Sequence, residues 1–112
     1  MNLKISEKYS TVVLSLKGKI EGGPDASEFN DVIQKLIKEN KKHIVVDLGN
    51  LKYVNSSGIG IIIRAFTTVK NAGGDLKLAN LNDKMKGLLS ITKLNTIFEI
   101  YNTEEEATKS FK

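Results

Sequence analysis

The sequence contains no cysteine and no tryptophan, and it has one histidine, His43, and one proline, Pro24. Without cysteine the chain has no disulfide, no thiolate metal site and no thiol nucleophile. A single histidine also excludes any site that is built from several imidazoles.

Long apolar runs are absent as well. The most apolar stretch, residues 59–66, is interrupted by Gly60 and Arg64. It is far shorter than the roughly 20 residues that span a bilayer. The amino terminus, residues 1–8, has no apolar core and no small-residue cleavage site, so it does not resemble a signal peptide. We therefore expect a cytoplasmic protein that does not bind a membrane.

Charges of both signs are present, with 17 basic and 13 acidic residues and a formal net charge of +4. All of the basic residues except Arg64 are lysines, and they are interspersed with acids. Proteins that recognise the bases and phosphates of nucleic acids use arginine preferentially, because its planar guanidinium forms paired hydrogen bonds. The composition thus indicates a solvated lysine-rich surface, no direct binding of nucleic acid, and a mild attraction for an acidic partner.

The length of 112 residues and the mass of 12.4 kDa fit one domain, residues 1–112. Apolar residues make up 40% of the chain and charged residues 27%, which is the balance of a globular rather than a disordered protein. Alternating apolar residues predict two antiparallel strands, one at Leu3 and Ile5 and one over residues 12–16, joined by a hairpin turn at residues 8–10.

In the rest of the chain, segments with apolar residues at helical spacing alternate with short apolar segments typical of strands. Proline is favoured at the first helical position, so Pro24 marks the start of a helix that ends near Asn40. The elements that follow are predicted, in order, as a strand at 44–48, a helix from about Ser57 to 72–74, a strand at 75–79, a short helix from Asn82 or Asp83, a strand at 97–101 and a helix at 103–111. The order β-β-α-β-α-β-α-β-α indicates an α/β fold, with a mixed sheet of about five strands and four helices.

The segment from Val54 to Gly60 is the most distinctive part of the sequence. It leads from the carboxyl end of an apolar strand into a helix, at the edge where open α/β sheets usually meet ligands and partners. It contains adjacent hydroxyls at Ser56 and Ser57, although one serine would suffice to cap the helix. Gly60 costs about 1 kcal/mol in a helix and permits close approach by another backbone.

Two interpretations of these hydroxyls stay open from the residues alone. In the first, the segment is only a capped and tightly packed loop. In the second, a serine is phosphorylated, and the free amides and dipole at the helix amino terminus tolerate the added charge of roughly −1.5 to −2. The same charge would be costly to desolvate against the apolar surface of a partner. Phosphorylation would then switch binding and leave the fold nearly unchanged.

Groups for catalysis are few. The sequence contains no GxSxG elbow, no GxxxxGK[ST] phosphate loop and no paired-histidine metal motif. We interpret Asp47, at the end of a strand, as a carboxylate that bonds to a neighbouring loop amide. His43 is interpreted as a strand-entry residue with one edge in water. We therefore expect no enzymatic activity, no cofactor and no metal.

Three stretches of the sequence resemble the STAS-domain anti-sigma factor antagonists of bacterial partner-switching systems. They are residues 46–48 with the segment 54–60, the turn and strand at 72–78, and the pattern at 94–101 that is followed by 104–107. The loop with its two serines and the downstream glycine pair match the family at this spacing. The resemblance covers essentially the whole chain and implies a STAS fold.

The resemblance also implies a switch that is not an enzyme. Unphosphorylated, such a protein binds an anti-sigma factor of the histidine-kinase-like ATPase fold and frees the sigma factor. The same partner is often a serine kinase that phosphorylates and ejects the antagonist, and a metal-dependent serine phosphatase reverses the mark. Ser56 matches the acceptor of the family, and the protein is expected to be a monomer or weak dimer. The partner-binding residues would be Glu21, Gly22, Asn55, Ser57, Gly58 and Ile59, with Ser57 as a contact or cap residue.

Two positions depart from the pattern of the family. Asn55 stands where the family has aspartate before the serine pair. Glu21 stands where the family commonly has aspartate after the second strand, so the charge is kept with one more methylene. Two other functions remain as alternatives: a STAS module that senses a small molecule or nucleotide outside sigma-factor control, and a constitutive scaffold that has lost phosphorylation.

Overall fold

Five strands form one mixed sheet in a computed structural model that describes residues 1–111. The elements follow one another as β1 (Asn2–Lys8), β2 (Thr11–Ile20), α1 (Pro24–Lys38), β3 (His43–Val54), α2 (Ser56–Asn71), β4 (Asp75–Ala79), α3 (Asp83–Ile91), β5 (Ile100–Tyr101) and α4 (Glu104–Lys109). A 3₁₀ turn, Leu94–Thr96, lies between α3 and β5. The spatial order is β1-β2-β3-β4-β5, with β1 antiparallel to β2 and the other neighbours parallel. The predicted fold class and element order are confirmed.

The two faces of the sheet carry cores of different size. Leu14 of β2 and Val46 of β3 belong to the larger core, to which α1, α2 and α3 contribute. Their neighbours Val13 and Val45 point to the other face and pack with Ala107 of α4. Because β3 is covered on both faces here, its sequence is an apolar run without alternation, as the strand prediction assumed.

Lys77 of β4 contacts Ser110 and Phe111, the two residues that follow α4. Its ammonium donates a hydrogen bond to Ser110 Oγ at 2.8 Å and lies 4.2 Å from the centre of the Phe111 ring. Glu99 Oε1 is 3.6 Å from the same ammonium. The Phe111 ring stacks on the exposed ring of His43 at 4.7 Å, which confirms the interpretation of His43 as a partly solvated strand-entry residue.

The predicted capping box of Thr103 and Glu106 lies at the start of α4. The Glu106 N–H donates to Thr103 Oγ1 at 3.1 Å, which satisfies one of the free amides of the first turn. One turn further on, Lys109 lies 3.3 Å from Glu105. The hydrogen bond and positive charge of Lys109 lower the pKa of the exposed Glu105 carboxyl.

The last strand is shorter than predicted. The sequence indicated a strand over residues 97–101, but only Ile100 and Tyr101 pair with β4. Lys93, with φ 62°, leads instead into the 3₁₀ turn. The turn places the Phe98 ring in the core, 5.0 Å from the Phe66 ring and edge to face. Because this ring is buried in the core, the first part of the predicted strand does not continue the ladder with β4.

The third strand is longer than the predicted 44–48. It continues to Val54 because β2 pairs with it as far as Ile20. The register between these two strands shifts twice, so β3 holds extra residues that interrupt its apolar pattern. Asp47 therefore lies inside β3 rather than at its end.

The helix boundaries differ slightly from the predictions. The first helix, α1, ends at Lys38, just before a turn in which Asn40 has φ 60°. The second helix, α2, begins at Ser56 rather than at Ser57. The glycine ending of α2 is confirmed, since Gly73 has φ 88°.

Thr11, at the start of β2, is fully buried, and its hydroxyl has no hydrogen-bond partner within residues 1–111. A buried hydroxyl without a partner carries a desolvation cost of about 1–3 kcal/mol. Thr11→Val keeps the shape and removes the hydroxyl. We expect this variant to raise the free energy of unfolding by about 1 kcal/mol, as measured by urea denaturation.

Thr108 provides the matched control for this substitution. It is equally buried, but its hydroxyl donates a hydrogen bond to the Glu105 carbonyl at 2.9 Å. Thr108→Val should therefore lower the free energy of unfolding by about 1 kcal/mol. Changes of the same sign in the two variants would contradict the explanation.

Candidate functional site

Asn55, rather than a serine, caps the amino end of α2. Its backbone is extended, with φ −100°, and its Oδ1 accepts a hydrogen bond from the Gly58 N–H at 2.8 Å. Ser56 and Ser57 occupy the first two helical positions and are exposed. The predicted alternative role of Ser57 as the cap residue is therefore wrong. Asparagine is as good a cap as serine, so the order Asn-Ser-Ser is a signal that the sequence interpretation missed.

The same Asn55 side chain also holds the loop that follows β2. Its Nδ2 donates a hydrogen bond to the Glu21 carbonyl at 3.1 Å, and its backbone N–H donates to the Ile20 carbonyl at 3.3 Å. An aspartate at this position would have no side-chain donor for the Glu21 carbonyl. Asn55 thus brings together the two predicted parts of the partner-binding surface.

The loop after β2 packs directly on Ser57, the second serine of the pair. A Cβ placed on Gly22 would lie 3.1 Å from Ser57 Cβ, and the φ of Gly22, 103°, is one that glycine adopts readily. The Glu21 N–H donates to Asp25 Oδ2 at 3.1 Å, so the first turn of α1 holds the loop from its other side. Glu21 itself is exposed, beside the start of α2.

Gly58 and Ile59, the other two predicted contact residues, are buried. A Cβ on Gly58 would overlap the Ile20 carbonyl oxygen and lie 2.6 Å from Val54 Cγ2. Ile59 is 7% exposed and belongs to the main core. These two residues thus lie beneath the loop and position it. Glu21 and Ser57, the exposed members of the predicted set, lie at the surface.

Gly60 does not provide the close approach that the sequence interpretation assigned to it. A Cβ on Gly60 would have no neighbour within 4 Å among the described residues. Within the chain, the glycine that lets α2 approach the strands closely is Gly58. The two glycines look alike in the sequence because helical position alone does not show which one faces the sheet.

Electrostatics at the start of α2 favour a negative group. The first turn of this helix contains no acidic residue. Its unpaired N–H groups and the positive end of the helix dipole point toward Ser56 and Ser57. Neither serine hydroxyl has a hydrogen-bond partner within residues 1–111, so both are available for modification or for contact with a partner.

The remaining polar groups do not join this site. Asp47 Oδ1 accepts hydrogen bonds from the Gly49 N–H, which lies within β3, at 2.9 Å and from Nδ2 of Asn80, in the loop after β4, at 3.0 Å. The predicted contact of Asp47 with a loop is therefore made through a side-chain amide. Within residues 1–111, no group of three or more His, Asp or Glu side chains is placed to hold a metal ion. No helix in that part of the chain is long and apolar enough to cross a membrane.

The two hydrogen bonds of Asn55 can be separated by substitution. Asn55→Ala removes both of them and should lower the free energy of unfolding by about 2 kcal/mol. Asn55→Asp keeps an oxygen for the Gly58 N–H but loses the donor for the Glu21 carbonyl. We expect it to lower the same free energy by only about 0.5–1 kcal/mol in urea denaturation. Equal losses in the two variants would show that the cap contributes nothing.

Comparison with known proteins agrees with this fold. The family model of the STAS domain matches residues 2–107. The chain belongs to the STAS domain family. Membership accounts for the mixed sheet and the helices packed on it.

Similar proteins include regulators of bacterial sigma factors. The anti-sigma F factor antagonist of Paenibacillus polymyxa is 26% identical over 109 residues, which cover 96% of this chain and 93% of the relative. The anti-sigma-B factor antagonist of Bacillus subtilis is 28% identical over 102 residues, which cover 89% and 90% of the two chains. The Bacillus cell fate determinant SpoIIAA in its phosphorylated form has a TM-score of 0.77 at 20% identity, covering 99% of this STAS chain and 100% of that one. At that identity the structural likeness shows the shared fold.

Proposed function

We propose that this STAS protein is an anti-sigma factor antagonist that is controlled by phosphorylation of Ser56. In the unphosphorylated state it binds an anti-sigma factor in the cytoplasm and so frees a sigma factor. The anti-sigma factor is also the serine kinase that phosphorylates it, and a serine phosphatase restores the binding form. Similarity to the Paenibacillus and Bacillus antagonists over most of the chain supports the partner class.

One observation carries the proposal: an exposed serine hydroxyl stands at the amino end of a helix whose cap is supplied by another residue. Because Asn55 satisfies the Gly58 N–H, modification of Ser56 takes no capping hydrogen bond from the fold. The free amides and the helix dipole would stabilise a phosphate of roughly −1.5 to −2 charges. Phosphorylation would thus change the surface and not the fold.

The neighbouring loop favours Ser56 over Ser57 as the acceptor. Ser57 is in contact with the loop after β2, since its Cβ and Oγ lie 3.1 Å and 3.8 Å from a Cβ placed on Gly22. A phosphate on Ser57 would crowd that loop. Ser56 makes no such contact, and SpoIIAA, which shares the fold, exists in a phosphorylated form.

Partner binding would use the exposed surface around the same helix end. Glu21, Asn55 and Ser57 form its rim, with Gly22 between them, while Gly58 and Ile59 hold the backbone beneath. A phosphate in the middle of such an interface would lose its hydration without gaining a cationic partner, which is strongly unfavourable. The antagonist would then dissociate.

The site is tested by incubating the protein with a candidate anti-sigma kinase, Mg²⁺ and ATP, and mapping phosphate by mass spectrometry. We expect one phosphate, on Ser56, and none in a Ser56→Ala variant. Phosphate on Ser57 alone, or on neither serine with a kinase that binds the protein, would refute the assignment.

A further inference from the structure

One edge of β3 remains open beyond the end of β4. The partner strand β4 pairs with β3 only over His43–Asp47, whereas β3 continues to Val54. Over residues 50–54, β2 covers one side, and within residues 1–111 no strand covers the other. We call residues 50–54 the open edge. Gly49 is not part of it, because its N–H donates to Asp47 Oδ1 and a Cβ placed on it would lie 3.1 Å from Asn80 Cβ. Alternate residues of a strand direct their N–H and C=O groups to opposite sides, so about half of the groups of the open edge face outward.

A groove runs between the open edge and α3. Leu51 and Met85, each 4% exposed, provide its apolar floor, and Tyr53 stands at its rim with 39% of its surface exposed. The full lining consists of Leu51, Lys52, Tyr53, Val54, Asn82, Lys84, Met85 and Leu88. An exposed tyrosine beside unpaired backbone is a feature that sheet edges normally avoid.

The rim of the groove is positively charged. Lys52 and Lys84 both line it and both are exposed. The Lys84 ammonium lies 5.9 Å from the centre of the Tyr53 ring. Neither lysine has an ion-pair partner within the described residues, although Asp83 is next to Lys84 in the chain. The two cations therefore remain available to an incoming negative group.

We propose that the open edge binds an extended, acidic segment of a partner protein, which adds a strand to the sheet beside β3. Backbone hydrogen bonds to the open edge would supply affinity. Since side chains of a strand alternate in direction, those on one face of the segment would point toward α3, and one of them would rest on the floor formed by Leu51 and Met85. Acidic side chains of the segment would meet Lys52 and Lys84 at the rim. The proposal does not depend on phosphorylation of Ser56, because the open edge contains none of the switch residues.

The proposal is tested with a seven-residue peptide, capped at both ends, that alternates glutamate and valine. The peptide is titrated into the ¹⁵N-labelled full chain to about 1 mM, a range that detects weak complexes. We expect chemical-shift changes centred on the open edge and α3. The double variant Lys52→Glu and Lys84→Glu should weaken binding by about tenfold. Lys86→Glu, on the same helix but outside the groove lining, should leave it within about twofold.

Backbone pairing is tested with the same peptide N-methylated at alternate residues on the side that faces the sheet. Loss of binding is expected, because methylation removes donors that an added strand needs. Shift changes centred elsewhere, full binding of the methylated peptide, or no binding of the unmodified peptide at about 1 mM would each overturn the proposal. In the last case the lysines would serve only to keep the edge from pairing.

Discussion

Gly58→Ala is expected to lower the free energy of unfolding by about 3 kcal/mol in urea denaturation. The added methyl would overlap the Ile20 carbonyl oxygen and lie 2.6 Å from Val54 Cγ2. One of these neighbours is backbone within the sheet and cannot rotate away. The amino end of α2 would have to shift, and with it the hydrogen bond from the Gly58 N–H to Asn55 Oδ1.

Gly60→Ala is the matched control, two residues further along the same helix. Both substitutions replace a helical glycine with alanine and gain the same intrinsic preference of about 1 kcal/mol. A Cβ on Gly60 has no neighbour within 4 Å in the described part of the chain. We therefore expect Gly60→Ala to raise the free energy of unfolding by about 0.5–1 kcal/mol. Similar effects of the two variants would be incompatible with the described packing of α2 on the strands.

Ser56→Asp is expected to weaken binding of the anti-sigma factor by about 100-fold, or about 2.7 kcal/mol, in calorimetric titration. The carboxylate imitates part of the charge of a phosphate and would be desolvated in the interface. At the start of α2 the same carboxylate interacts favourably with the helix dipole. The melting temperature should consequently change little. This prediction rests on the proposed function.

Ser56→Ala separates the loss of the hydroxyl from the gain of charge. It should bind the anti-sigma factor nearly as well as the unsubstituted protein, and ATP should no longer release it. Equal loss of binding in the alanine and aspartate variants would show that the hydroxyl itself contributes to the contact. Loss of binding together with a large fall in melting temperature would instead indicate a purely structural role for Ser56.

Predictions from the sequence were correct where neighbouring residues alone determine the local structure. Pro24 began α1, the glycines near Gly73 ended α2, and Thr103 capped α4, because each of these signals acts within a few residues. The succession of strands and helices along the chain followed from alternation in the first two strands, from the apolar run of β3 and from helical spacing elsewhere. The exposed serine pair also lies where the sequence placed it.

Predictions from the sequence were wrong or incomplete where contacts between distant residues determine the structure. Phe98 has the apolar and aromatic character of a strand residue, yet contact with Phe66 draws it into the core through a 3₁₀ turn. Gly58 and Gly60 could not be told apart before the position of Ile20 was known. The second hydrogen bond of Asn55 was equally hidden, since its acceptor, the Glu21 carbonyl, is 34 residues away in the chain.

That hydrogen bond also has a consequence for the entropy of association. Because the amide of Asn55 ties the loop after β2 to the start of α2, the two segments are already ordered relative to each other before any partner arrives. Ordering a mobile side chain on binding costs about 0.5–1.5 kcal/mol, and a preorganised surface avoids such costs. A carboxylate at this position would lack the donor and would add a negative charge beside Ser56. The neutral amide thus holds the two segments in place and, if Ser56 is phosphorylated as proposed, would leave the phosphate as the dominant charge at the start of α2.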